Sequence, residues 1–500
     1  MSEYAIFSRD FTELCKKNAE KPLVIVVNEN GKKIFTYRET ESIVNRYLTL
    51  FKENELKKGD TIVSIMPNSV ECIACFFATI KGGYGFAPLA CQITNREFDN
   101  WQKLVRPKLI IKKNGIADFE TTVKTYKCVC DGDFSWLPVK ECCICEEEGA
   151  KVYLLTSGTT GVPKAMIIDG NKLWSSGKAF AAYYGMLDSE IRFWNYLPMS
   201  YLGGLYNLAL IPMCCNGSFV VSEPFSGKTI INYWTFVKNN NITALWIVPS
   251  ILQGLLKLAK LVYKKRIDYS QIIKIAFLGT APVQLKQKEE FEEMFGIRLY
   301  ENFALSESTF LTAESEKDIL YREQSSVGKT LPYVSIKLKP VGAVENTNSI
   351  WIKTPYLFDG YLGEDGSAEL DVDEEGYFNT KDLGFFNSDN ILVLEGRNRD
   401  IIKKGGLFVS LIEIENLVNK HPDVEEAVAV PIHSDFYGET YVLCVIFKQN
   451  GEGQAEKLHA WLLDNIVKYK LPEKICAYEE FPRTASGKIQ KQIIAEVLEK

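Results

Sequence analysis

The sequence predicts an α/β protein: a large N-terminal domain of αβ-layered sheets plus a β-rich subdomain, joined to a small C-terminal α+β domain. Three observations predict it. Roughly the first four-fifths of the chain alternates short β-branched runs with helical patterns, as largely parallel sheets covered by helices do. From about residue 345 the texture turns to short strands broken by Gly, Asp and Asn. After "EGRNRDIIKKGG" (395–406) a new helix and strand pattern runs over roughly a hundred residues, an ordinary domain size.

The elements follow in order. "LVIVVN" (23–28) and "DTIVSIM" (60–66) read as strands, and "YRETESIVNRYLTLFKEN" (37–54) as an amphipathic helix between them. "ALWIVP" (244–249) and "IKIAFLG" (273–279) are buried strands that run into helices, and "LKQKEEFEEMF" (285–295) is an amphipathic helix. "SIWIKTP", "GYFNTKD" and "ILVLEG" are the short strands of the β-rich part. The last part starts with the helix "LIEIENLVNKH", then the strands "VEEAVAVPI" and "TYVLCVIFK", another helix and a charged tail. The charged joint at 397–400 divides the chain into 1–396 and 401–500. On local features alone it reads equally as a surface linker.

Composition excludes several classes. A chain of 500 residues with 46% hydrophobic and 24% charged residues is an ordinary globular protein, too long for one compact core. A net charge of -6 gives no support to a nucleic-acid or anionic-membrane partner. The start "MSEYAIFSRDFTEL" carries acids and an arginine where a signal peptide needs an apolar core. No uncharged apolar run reaches the ~18 residues of a membrane span. A cytoplasmic location is expected.

The 13 cysteines do not form a disulfide framework in so long a chain. In "CVC" (128–130) and "CCIC" (142–145), Cys142 and Cys145 have zinc-ligand spacing, whereas Cys128 and Cys130 are one residue too close. Their alternation with Val and Ile favours buried strands, with cysteine acting as a small hydrophobe.

The chemistry starts at "TSGTTGVPK" (156–164). Thr156, Ser157, Thr159 and Thr160 offer hydroxyls, Gly158 and Gly161 let backbone N–H groups approach an anion, and Lys164 adds a cation. This favours a polyphosphate ligand over an ordinary Ser/Thr-rich turn. It is not the usual phosphate-binding loop, because no Ser or Thr follows the lysine.

The same stretch resembles the signature loop of the adenylate-forming superfamily, which includes acyl- and aryl-CoA synthetases, adenylation domains and luciferases. The resemblance spans essentially the whole chain. "TYRE" (36–39), "GDTIVSIMPNSVE" (59–71) and "KGGYGFAPL" (81–89) resemble the early segments. "LGTAP" (278–282) resembles the adenine-side turn and "ENFALSES" (301–308) the aromatic-Gly-x-Thr-Glu motif. "SVGKTLP" (326–332), "GYFNTKD" (376–382), "GRNRDIIKKGGLFVSLIEIE" (396–415) and "PRTASGKI" (482–489) complete the series.

The resemblance implies an AMP-forming reaction: a carboxylate attacks the α-phosphate of ATP, and a thiol then displaces AMP from the acyl-adenylate. It implies that the loop 156–164 clamps the β- and γ-phosphates. Glu307, with Thr156, would hold Mg2+, a hard cation suited to oxygen ligands. Gly279, Thr280, Ala281, Asn302, Phe303, Ala304 and Ser306 would surround the nucleoside, with Phe303 stacked on adenine. Asp382 would accept from the ribose hydroxyls and Arg397 would contact the nucleotide. Lys488 is implied as the catalytic lysine, Arg399 as the hinge, Gly406 as the closest point to the thiol arm, and Tyr201, Gly203 and Gly204 as the border of the acyl pocket.

The chain departs from the pattern in places. Ala304 replaces a glycine, Phe303 a tyrosine, Lys381 the glycine of "TGD", Tyr201 a gating histidine and Leu411 a proline. None of these removes a charge that the mechanism needs. Of the three histidines, His421, His433 and His459, none falls at a motif position implied to be catalytic. The expected function is a small-carboxylic-acid:CoA ligase. The alternatives are an adenylation enzyme loading the phosphopantetheine arm of an acyl carrier protein, or a non-catalytic nucleotide-binding relative. An amino-acid substrate is disfavoured, because "LPMSYLGG" lacks the acid that would hold an ammonium.

Overall fold

The computed structural model describes the chain except residues 1–3, Asn30, 143–145, 147–149, 157–163, Pro224, Ser226, 264–265, 280–282, 342–347, 364–365, 398–400, 405–406, 435–437, 449–452, 485–488 and 499–500. Two large sheets dominate it. In the nine-stranded sheet the strands Tyr300–Leu305, Ile275–Leu278, Ala244–Ile247, Arg192–Asn195, Ser218–Val221 and Pro22–Asn28 lie side by side and parallel. Antiparallel strands extend it, Gly31–Thr36 at one edge and Thr309–Ala313 then Lys329–Thr330 at the other.

The eight-stranded sheet has a parallel part made of Lys151–Thr156, Gly85–Pro88, Thr61–Ile65, Leu109–Lys113 and Thr125–Cys128. Lys164–Asp169, Gly360–Leu362 and Ala368–Glu369 continue it antiparallel. Fully buried parallel strands need apolar residues on both faces, and Thr61–Ile65 is buried at every position.

Helices fill the space around these sheets. Tyr37–Glu53 starts in a capping box: the Thr36 side chain accepts from Glu39 N at 3.2 Å, and Thr36 N donates to Glu39 Oε2 at 2.8 Å. Val70–Gly82 is capped by Ser69, ends at the left-handed Gly83 (φ 73°) and is buried along its whole length. Its apolar residues share one continuous core with strands of both sheets.

The β-rich part is a four-stranded antiparallel sheet of Ser335–Pro340, Asn348–Lys353, Phe378–Phe386 and Leu392–Arg397. It therefore begins about ten residues earlier than the change in sequence texture suggests. The C-terminal part forms a five-stranded sheet with its own apolar cores, built from residues between Ile402 and Ile494. "ALWIVP" ends as a strand at Ile247, because Pro249 opens the following helix, where its missing N–H costs nothing.

The cysteine stretch differs from the strand reading. Cys128 is buried at the end of its strand, but Cys130 lies beyond it at φ 62°, and Cys142 is in an irregular segment. Cys143 and Cys145 lie outside the described residues. Among the described residues no helix is long and apolar enough to cross a membrane.

Candidate active site

The phosphate-loop stretch joins two antiparallel strands. Thr156 is the last residue of Lys151–Thr156, Lys164 the first of Lys164–Asp169, and the two are paired. The loop's ends are thus pinned side by side. Of Thr156 and Lys164 the backbone alone is described, while Ser157, Gly158, Thr159, Thr160 and Gly161 lie outside the described residues. Asp169 ends the second strand and caps the helix Gly170–Tyr183 by accepting from Asn171 N and Lys172 N at 2.8 and 3.3 Å.

The segments that the resemblance implies to face adenine meet in the nine-stranded sheet. Leu278 pairs with Glu301 in parallel register, so Gly279 arrives beside Asn302. Asn302 Nδ2 donates to Leu278 O at 3.2 Å, and a Cβ at Gly279 would sit 3.1 Å from Asn302 Oδ1. Thr280 and Ala281 lie outside the described residues. Ala304 and Ser306 are exposed, whereas Phe303 is only 7% exposed and packs in the main core. Its burial is that of a core ring, at the position where the resemblance implies an open stacking face.

Glu307 occupies the turn between Tyr300–Leu305 and Thr309–Ala313, closed by Ser308 N donating to Leu305 O at 3.3 Å. Tyr361 OH donates to its Oε1 at 2.7 Å, and Phe358 N to its backbone carbonyl at 2.6 Å. Tyr361 lies on Gly360–Leu362, where it pairs with Met166 in the strand that leaves the phosphate loop. The acid of one sheet is therefore tied to the loop-bearing strands of the other.

Thr309 follows at φ 58°. A β-branched residue in the left-handed region costs about 1–2 kcal/mol. Thr309 Oγ1 lies 2.5 Å from Ser176 Oγ, which lies 2.7 Å from Tyr206 OH, and all three residues are buried.

Sequence reasoning missed a second group, under the base of the same hairpin. Lys288 Nζ is 3.0 Å from Glu301 Oε2 and 2.8 Å from Glu314 Oε1. Arg322 donates through Nε and Nη2 to Glu314, both at 3.0 Å, and through Nη1 to Glu292 at 2.8 Å. Glu301 N donates to Glu314 Oε2 at 2.7 Å, locking the strand ends together. Burial pushes the Glu301 carboxyl up, with Lys288 opposing and Glu314 adding to the rise. Charged residues in "LKQKEEFEEMF" read as a solvated face; no local signal marks Lys288 as facing inward.

Asp382 lies on Phe378–Phe386, 6% exposed, directly across from Arg397 at the end of Leu392–Arg397. The structure thus brings the two implied nucleotide contacts together, although the Arg397 side chain is not described. Lys381 has φ 61°, which explains why a glycine suits that place in "TGD".

Tyr201 precedes the π-helix Gly203–Leu210. Burial raises its phenol to about 12, and its hydroxyl meets no protein partner among the described residues. A Cβ at Gly203 would meet the Tyr201 ring at 2.9 Å. One at Gly204 would meet the carbonyl oxygens of Leu197 and Pro198 at 2.6 Å each. Gly204 thus packs against backbone, and a side chain there would disturb the fold before it reached an acid. Arg399, Gly406 and Lys488 lie outside the described residues. The Lys488 stretch is closed by a bridge between Arg483 and Ile489 and by Gln490 N donating to Pro482 O at 2.8 Å.

Comparison with known proteins decides the family. The family described as AMP-binding enzyme matches residues 11–362, and its C-terminal domain matches residues 413–488. The chain belongs to the AMP-binding enzyme family. It is an AMP-forming acid–thiol ligase, which activates a carboxylate with ATP as an acyl-adenylate and transfers it to coenzyme A.

Among its relatives is an oxalate–CoA ligase of Arabidopsis thaliana, 28% identical over 93% of this chain and 94% of that protein. A malonate–CoA ligase of the same plant is 28% identical over 70% of this chain and 60% of its own length. A 2-succinylbenzoate–CoA ligase of Bacillus cereus is 25% identical over 89% of this chain and 90% of its own. The fold is that of ATP-bound MatB from Rhodopseudomonas palustris (TM-score 0.85, 21% identity, 99% of both chains). It is also that of the o-succinylbenzoate CoA synthetase MenE from Bacillus subtilis with its acyl-adenylate (TM-score 0.81, 22% identity, 97% of both chains).

Proposed function

We propose that this chain activates a small acid carrying a second carboxylate, using ATP and Mg2+, with coenzyme A as the acceptor. The observation that carries the reading is the placement of Glu307 against the strands that root the phosphate loop. Its Oε1 accepts from Tyr361, and among the described residues Oε2 accepts no hydrogen bond. A half-buried carboxylate with an oxygen to spare fits a hard divalent cation. Glu307, with Thr156 as a second oxygen, would hold Mg2+, which would offset charge on the triphosphate.

The chain's own residues then bind and orient. Residues 157–163 with Lys164 hold the β- and γ-phosphates. The segments at 279–281 and 302–306 hold the adenosine, and Asp382 accepts from the ribose hydroxyls beside Arg397. Lys488 offers its ammonium to the acid and the α-phosphate as charge develops. The acid's oxygen forms a bond to the α-phosphorus, the bridge to the β-phosphate breaks, and pyrophosphate leaves. The thiolate of coenzyme A then bonds to the acyl carbon and AMP leaves. Residues 397–400, with Arg399 as pivot, exchange Lys488 for the segment at Gly406 between the two steps.

The acid class is supported by the relatives' names, since oxalate, malonate and 2-succinylbenzoate all carry a second carboxylate. The buried Tyr201 hydroxyl is a donor suited to such a group. The same relatives favour free coenzyme A over a carrier protein.

Carboxylate-dependent exchange of labelled pyrophosphate into ATP, run over an acid panel, tests the reading. Oxalate, malonate, succinate and 2-succinylbenzoate are expected to outpace butyrate, benzoate and alanine; a preference for monocarboxylates sinks the acid class. Lys488→Ala is expected to abolish exchange but to spare thioester formation from a supplied acyl-adenylate. Equal loss of both half-reactions in a folded protein would rule out the domain alternation.

A further inference from the structure

A left-handed residue closing a tight hairpin turn calls for glycine or asparagine, and threonine is among the least suited replacements. Thr309 nevertheless holds φ 58° in the residue that closes the turn of Glu307. Strain of this kind persists where the surroundings fix the residue. Here the fixing contact is the 2.5 Å approach of Thr309 Oγ1 to Ser176 Oγ, backed by Tyr206 OH at 2.7 Å from Ser176.

The anchors converge on one stretch of chain. Ser176 lies on the helix Gly170–Tyr183, which directly continues the strand Lys164–Asp169 that leaves the phosphate loop. Tyr361, the other anchor of Glu307, pairs with Met166 of that same strand. Glu307 is thus referred by two routes to residues 164–183, although its turn belongs to a different sheet. A buried hydroxyl cluster serving packing alone would need neither the strained backbone nor its place in the turn.

We propose that Thr309 is a positioning residue: its bond to Ser176 sets the direction of the Glu307 carboxylate relative to the root of the phosphate loop. The proposal rests on Glu307 as the metal ligand. Groups that orient a ligand in this way typically change metal affinity by roughly 10–100-fold when removed.

The test uses the full chain with Thr309→Gly, Thr309→Ser, Ser176→Ala and Glu307→Gln. Mn2+ binding in the presence of ATP is followed by electron paramagnetic resonance, and melting is measured without ligand. Thr309→Gly, which relieves the strained φ but loses a buried methyl and the hydroxyl bonded to Ser176, is expected to remain folded with a melting temperature somewhat below wild type, yet to bind Mn2+ about tenfold more weakly. Thr309→Ser, which keeps the hydroxyl, should restore the affinity, and Ser176→Ala should reproduce the weakening from the helix side.

Wild-type Mn2+ affinity in both Thr309→Gly and Ser176→Ala overturns the proposal. So does a weakening that Thr309→Ser fails to restore. If Glu307→Gln weakens Mn2+ binding while the other variants do not, the positioning role alone falls. If Glu307→Gln leaves it unchanged, the metal assignment falls and takes the positioning role with it.

Discussion

The hairpin formed by Tyr300–Leu305 and Thr309–Ala313 is held by charge at its base and by neutral groups at its tip. At the base, Lys288 and Arg322 meet Glu292, Glu301 and Glu314 in the interior. At the tip, Glu307 is held by a phenol and a backbone N–H, and its neighbour Thr309 by hydroxyls. The difference has a physical reason. On the proposal that Glu307 is a metal ligand, a cation beside it would satisfy the charge it must keep for its metal, whereas the neutral Tyr361 hydroxyl orients the carboxylate and leaves that charge in place. At the base no ligand has to enter, so the strongest and least forgiving interactions can sit there.

The comparison breaks most visibly at Lys288. Lys288→Met removes a buried cation and leaves Glu301 and Glu314 facing one another, so a loss of about 3–5 kcal/mol in unfolding free energy is expected. Urea unfolding measures it. Mn2+ affinity of the protein that remains folded should stay near wild type. A weakening as large as that of Thr309→Gly would show that base and tip act as one unit.

Phe303 lies between the two ends. As a core ring its truncation to alanine is expected to cost about 3 kcal/mol of stability, the low end for a buried phenylalanine. As an adenine platform the same change would instead raise the ATP requirement by about 1–3 kcal/mol with little loss of melting temperature. With the ring 7% exposed, the larger change is expected in stability, and parallel unfolding and ATP titrations separate the two.

How far the sequence disclosed this arrangement follows from what each feature depends on. The helices Tyr37–Glu53 and Leu285–Phe295 were legible because amphipathic periodicity is local. Asp382 and Arg397 were legible as motif residues, but their pairing across two strands depends on register, which no local pattern gives. Lys288, Ser176, Tyr206 and Tyr361 were not legible, because their partners lie 13 to 133 residues away in the chain. Thr309 was hidden for another reason: threonine predicts extended backbone, and tertiary contacts overrode that preference. The cysteine stretch failed in the same direction, since Cys130 leaves the strand that its alternation suggested.

The smallest effect sharpens the comparison most, because it separates strain from its use. Lys381 is another of the non-glycine residues in the left-handed region, at φ 61°, next to Asp382. Unlike Thr309 it is exposed, and its backbone N–H donates to Asn379 Oδ1 at 2.8 Å in a local turn. Lys381→Gly removes about 1–2 kcal/mol of backbone strain but adds up to ~1 kcal/mol of unfolded-state entropy, so a net gain of about 0.5 kcal/mol is expected. Thermal unfolding should register it as a small rise in melting temperature, with ATP affinity unchanged. If Lys381→Gly instead weakens ATP binding without lowering stability, the strain at Lys381 aims Asp382 as the strain at Thr309 aims Glu307. The two acids would then be set by the same device, and the contrast would lie between the acids and the buried charges rather than between the ends of one hairpin.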